Sequence, residues 1–173
     1  MKTIDVCLSP ELMHLYKVED RTVVVVDIFR ATSCMVTAFA HGVESITPFA
    51  SLEACRVMKT KGYITSGERD GKKVDGFDKG NSPFEYMGTD VAHKKIAFTT
   101  TNGTQAIEKA KGAKRIIAGS FLNLSSVVKY LLFGENSVLV VCAGWKGKVN
   151  LEDTLFAGAV VDKLINHIEP DCD

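Results

Sequence analysis

The run Thr22-Val23-Val24-Val25-Val26-Asp27 constrains this chain more than any other stretch. Its unbroken β-branched residues fit a pleated strand, and with no polar alternation that strand has to be covered on both faces. A central strand with helices on either side of its sheet follows. The remaining sequence alternates accordingly, with strands expected over 3–8, 45–49, 63–66, 95–100, 115–118 and 137–142. Helices are expected over 11–16, 31–41, 51–61, 105–110, 123–132 and 151–168. Ser9-Pro10 and Ser51 stand where helices start, and Gly42 and Gly62 where they stop. On the last helix, Leu151, Leu155, Ala159, Leu164 and Ile168 keep roughly helical spacing and predict a core-facing stripe. The expected fold is α/β, a three-layer α/β/α sandwich with a largely parallel or mixed central sheet, in a single domain over residues 1–173.

Charge and composition exclude several classes. Lys and Arg total 21 and Asp and Glu total 21, with no long run of one sign, so the basic footprint of a nucleic-acid binder is missing. Apolar runs such as 23–26 and 138–143 fall far short of the ~20 residues of a membrane span. Asp5 comes too early for a signal peptide. Five cysteines, an odd number without Cys-x-x-Cys spacing, read as buried thiols of a reducing cytosol, so a cytoplasmic location is expected. The segment 67–82 is charged and glycine-rich, with too little apolar periodicity for a core element, and reads as a loop.

Chemistry gathers at the strand exits. The stretch Ala97-Phe98-Thr99-Thr100-Thr101-Asn102-Gly103-Thr104 passes from strand through a tight turn into a helix start, whose free N–H groups and dipole make an anion site. Ligands of open α/β sheets bind where parallel strands end. Here those ends carry Asp27 with Arg30, Gly67 with Glu68, Thr100 to Thr104, Gly119 with Ser120 and Asn123, and the loop 143–148 leading to Glu152 and Asp153. Oxygen ligands of this kind suit Mg2+, and Arg30 offers a planar fork to a phosphate or sulfonate. Asp27 equally has the position of a helix cap, and Glu152 and Asp153 are favourable first-turn charges.

Other templates fit worse. Asp27-Ile28-Phe29 lacks the second Asp of a haloacid-dehalogenase phosphatase, and Cys142 is followed six positions later by Lys148 where a cysteine phosphatase needs arginine. Walker A and dinucleotide fingerprints are absent, and His14, His41, His93 and His167 form no metal-ligand spacing.

Five motifs in order carry a resemblance: 25–33 around Val26-Asp27-Ile28-Phe29-Arg30-Ala31-Thr32-Ser33, then 67–83, 99–104, 118–123, and Cys142-Ala143-Gly144 with Leu151-Glu152-Asp153-Thr154. Together they resemble the 2-phosphosulfolactate phosphatase family over nearly the whole chain. That resemblance implies an α/β Mg2+-dependent phosphatase that hydrolyses 2-phosphosulfolactate to sulfolactate and phosphate, a step toward coenzyme M. It also implies a chain shortened at its C-terminus relative to the family. On this reading Asp27, Glu68 and Asp153 hold Mg2+, directly or through water. Thr101, Asn102, Gly103 and Thr104 hold the phosphoryl group with Arg30, and Asn81, Ser120 and Asn123 meet the substrate's carboxylate or sulfonate. The expected partner is a small anionic phosphate ester, with a homo-oligomer left open. The alternative is a non-catalytic anion-binding or assembly module that keeps the pocket without turnover.

Overall fold

The computed structural model describes residues 2–171. Its strands are β1 (Thr3–Cys7), β2 (Thr22–Val26), β3 (Ser45–Pro48), β4 (Ile64–Arg69), β5 (Lys72–Lys73), β6 (Lys95–Thr99), β7 (Arg115–Gly119), β8 (Val138–Cys142) and β9 (Glu169–Pro170). Its α-helices are α1 (Ala31–Ala40), α2 (Leu52–Val57), α3 (Gly103–Lys109), α4 (Leu124–Phe133) and α5 (Leu151–Leu164). None of the described helices is long and apolar enough to cross a membrane.

The architecture is an α/β sandwich, with its strands divided between two sheets. One is fully parallel in the order β7-β2-β8-β1-β9, and the other runs β3-β6-β4-β5 with only β5 antiparallel. The valine run lies inside the first, paired to β7 on one side and β8 on the other, and Val23 to Val26 are fully buried. Val24 and Val26 face α4 and α5, whereas Val23 and Val25 face α3 and the 3-10 turn Pro10–Leu15. Alternate side chains of one strand thus fill two cores, as the lack of polar alternation requires.

Helix α1 explains the division. Its Ala31, Cys34, Met35 and Ala38 lie in one cluster with Ile96 and Phe98 of β6 and with Ala118 of β7. Small side chains let one helix be shared by both sheets. The second sheet's other face is closed by Cys55, Val74 and Phe77 around Ala97.

Several expectations need correction. The segment 67–82 begins inside β4, turns into β5, and contributes Val74 and Phe77 to the core, so it is a hairpin and a core-covering segment more than a solvated loop. The helix expected over 51–61 is α2 followed by a 3-10 turn, that over 11–16 is wholly 3-10, and α5 stops at Leu164. Of the stripe expected on the last helix, Leu164 and Ile168 are in the core and Ala159 is half-buried, but Leu151 is 70% and Leu155 56% exposed, and Asp153, Phe156, Ala157 and Val160 face inward in their place. Two contacts set that register. Asp153 is drawn in by backbone amides, and Phe156 packs where Gly119 has no side chain, a Cβ there lying 2.7 Å from its ring. Cys7, Cys34, Cys55 and Cys142 are buried free thiols, and Cys172 lies outside the described residues.

Candidate active site

Three carboxylates are drawn inside where the strands end. Asp27 follows β2 and is 6% exposed, Glu68 is the penultimate residue of β4 at 4%, and Asp153 lies in the first turn of α5 at 0%. Asp153 accepts hydrogen bonds from the N–H of Ile28 on Oδ1 (2.8 Å) and of Gly144 on Oδ2 (3.1 Å), so it ties the loop after β2 to the loop after β8. Glu68 accepts from the Thr101 N–H (3.0 Å) and hydroxyl (2.5 Å) on Oε1 and from the Gly71 N–H (2.8 Å) on Oε2. Asp27 lies against the Ala31 and Gly103 amides, which favour its charged form. Gly103 permits that approach, since a Cβ there would stand 2.7 Å from Asp27 Oδ2.

The charges of Asp153 and Glu68 both oppose that of Asp27. Burial first, then the Asp153 charge and, more weakly, that of Glu68 push the Asp27 carboxyl up to about 7. Burial likewise raises Asp153, against the pull of its amide partners. No salt bridge among the described residues reaches any of the three. Buried carboxylates without a basic partner are a donor set for a hard cation. Among the described residues, however, no three acidic, thiol or imidazole groups converge to enclose an ion by themselves. The arrangement therefore fits a cation such as Mg2+ that takes one or two protein carboxylates and fills its other positions with water and substrate oxygens.

The turn at 100–104 differs from the open anion cradle the sequence predicts. Thr101 gives its N–H to Glu68, and Gly103 presents its own to Asp27. Thr100 and Thr104 cap each other: the Thr100 N–H donates to Thr104 Oγ1 (3.1 Å), and the Thr104 N–H to Thr100 Oγ1 (3.2 Å). Asn102 Oδ1 accepts from the Lys146 N–H at 3.3 Å. The amides that would hold a phosphate thus hold the chain's own groups, so this wall of the site presents carboxylates.

Two clefts flank these acids. The larger, about 660 Å³, is walled by Phe29, Phe121, Leu122, Leu151 and Leu155, with Arg30, Ser33, Ser120 and Glu152 also lining it. Arg30 makes one long contact, from Nη2 to the Gly71 carbonyl at 3.5 Å. Ser33 belongs to the 25–33 motif but is given no site role by the sequence, where it reads as helix. Its hydroxyl donates to the Ile28 carbonyl (2.7 Å) and lies 3.0 Å from the Ser120 hydroxyl. The smaller cleft, about 300 Å³, is polar and lined by Thr101, Asn102, Gln105, Lys109 and Lys146 among others. Arg30 and the pair Thr101 and Asn102 thus face different clefts. Asn123 spends both ends of its amide locally, accepting from the Ser120 N–H and donating to the Ala118 carbonyl. Asn81 is 7% exposed, lines neither cleft, and leaves Oδ1 without a hydrogen-bond partner.

Residues 7–173 match the family model described as 2-phosphosulpholactate phosphatase. A probable 2-phosphosulfolactate phosphatase of Thermotoga maritima is 47% identical over 161 residues, which cover 93% of this chain and 68% of the relative. One from Caldanaerobacter subterraneus is 40% identical over 150 residues, 84% of this chain and 62% of that protein. The chain spans about two thirds of the length of these curated relatives. By both measures it belongs to the 2-phosphosulpholactate phosphatase family.

Proposed function

We propose that this chain is a Mg2+-dependent phosphatase that hydrolyses 2-phosphosulfolactate, or a similarly small anionic phosphate monoester, to sulfolactate and inorganic phosphate. The observation that carries the proposal is the set of three buried carboxylates without a basic partner near the strand ends, two of them opposing the charge of Asp27, in a member of this family. Asp27 and Asp153 are the oxygens offered to the cation, while Glu68 fixes the Thr101 turn against them. Mg2+ bound there supplies charge neutralisation for the phosphoryl oxygens and makes bound water more acidic. Asp27 would be held ionised by a bound cation, which offsets the burial and the Asp153 charge that push its carboxyl up to about 7 without it. Arg30, from the mouth of the larger cleft, presents a cation to the oxygens of the ester. On this reading the reaction is a step toward coenzyme M and runs in the cytoplasm.

Phosphate release from 2-phosphosulfolactate, measured with Mg2+ and again with EDTA, tests the proposal. Turnover that EDTA abolishes is expected, and turnover indifferent to EDTA refutes the cation's role. One observation favours a second reading, a binding module without turnover: the Thr101, Gly103 and Thr104 amides are already engaged within the chain. Sulfolactate binding with no hydrolysis of any phosphate monoester would select it.

A further inference from the structure

The smaller cleft backs onto all three carboxylates. Glu68 bonds to Thr101 on its wall, Asp27 touches Gly103 beside Asn102, and Asp153 bonds to Gly144 beside Ala143. None of the three lines it, but the 70–71 turn that Glu68 holds takes one contact from Arg30 at the Gly71 carbonyl and another from Lys146 at the Asp70 carboxylate, which ties the acids and both cations to this cleft. Two ammonium groups line it. Lys109 is held by the Glu11 carboxylate (3.0 Å) and the Pro10 carbonyl (3.2 Å). Lys146 is placed differently. Its backbone adopts φ 50°, a left-handed conformation unusual for a residue with a side chain, and its N–H is anchored on Asn102. Its ammonium lies 5.6 Å from the Trp145 ring centroid and 2.6 Å from the Asp70 carboxylate, which is 73% exposed. A pair so exposed is weak, so an incoming anion can replace Asp70 at little expense.

We propose that Lys146 is a specificity-determining residue: it exchanges Asp70 for the second anionic group, carboxylate or sulfonate, of a phosphate ester whose phosphoryl end lies at Asp27 and Asp153. The assignment rests on the phosphatase reading. It explains why a polar cleft with an anchored, left-handed lysine adjoins acids that by themselves need only a cation and a phosphoryl group.

The test compares kcat/KM for 2-phosphosulfolactate with that for phenyl phosphate, which lacks a second anion, in the wild type, Lys146→Met and Lys146→Arg. Calorimetric titration with sulfolactate accompanies it. Lys146→Met is expected to lower the ratio by about tenfold through loss of one charge-assisted contact, mainly in KM, and Lys146→Arg to keep most of it. Asp70→Asn, which frees the ammonium, is expected to tighten sulfolactate binding by about threefold. An unchanged ratio in Lys146→Met, or weaker sulfolactate binding in Asp70→Asn, overturns the assignment. Should the wild type hydrolyse neither ester, the phosphatase reading fails by itself, and the sulfolactate titrations still decide on Lys146.

Discussion

Replacing Asp27 with asparagine separates what its charge does to the fold from what it does for the reaction. Asp27 is buried beside two other acids, and its carboxyl stands at about 7 against an ordinary 3.8. A carboxyl raised in the folded state favours folding most when protonated, so its contribution is fully present below the ordinary value and is lost as pH rises through about 7. Between about pH 5 and pH 8, the folded state of the wild type should lose about 2.5 kcal/mol through this group alone, at ~1.36 kcal/mol per pKa unit. The carboxamide of the variant cannot ionise, so Asp27→Asn should lack that part of the slope. Urea unfolding followed by circular dichroism at the two pH values, with EDTA present, measures the difference. The variant is expected to gain on the wild type by about 2.5 kcal/mol over this window, while losing phosphatase activity. Parallel stability profiles for the two proteins would refute the raised Asp27 carboxyl, whatever the activity showed.

Saturating Mg2+ should raise the wild-type stability at pH 8, by about 2.7 kcal/mol at a hundredfold excess over its dissociation constant, and raise Asp27→Asn much less; equal shifts would place the cation elsewhere. Gly103→Ala puts a Cβ 2.6 Å from that of Ala31 and 2.7 Å from Asp27 Oδ2. It is expected to destabilise by about 1–3 kcal/mol and to depress turnover, and a variant with wild-type melting temperature and rate would show that the close approach is not needed. Phe156→Ala removes a fully buried ring between α5 and Gly119, with an expected loss of about 3–5 kcal/mol in chemical denaturation. Burial pushes the Cys142 thiol up to about 12 and raises Cys34 further, so thiol reagents should label neither in the folded protein, as mass spectrometry of timed samples would reveal.

The strands and most helices were legible because their signals are local. A β-branched run, Ser9-Pro10, Ser51 and Gly62 each state a backbone preference within a few residues. The split into two sheets was not legible, since it depends on which strands lie on either side of α1, and the small residues that let both approach have no signature of their own. Val74 and Phe77 look isolated in a polar segment, and only the fold brings Cys55 and Ala97 to meet them. Leu164 of α5 is buried as its spacing implies, whereas at the start of the helix Asp153 is turned inward and Leu151 and Leu155 outward, because two backbone amides meet the carboxylate there. Polar residues at the strand exits, Asp27, Glu68 and Asp153 among them, could be named from order alone. That Thr101 and Gly103 turn their amides toward carboxylates, and that Arg30 faces another cleft than Asn102, required the tertiary arrangement.

Strand β2 is paired on both sides and covered on both faces, which makes its amides the natural candidates for exchanging hydrogen only through global unfolding. Asp27 is attached directly to that strand, whereas Glu68 leads into a hairpin whose second strand is two residues long. The acids therefore belong to regions of unequal opening energy. Under mild destabilisation the Glu68 hairpin should lose its protection from exchange first and loosen the Thr101 turn, leaving Asp27 on an intact strand. Inactivation by heat or denaturant would then precede the loss of the fold, with the missing activity recovered as soon as that hairpin closes again.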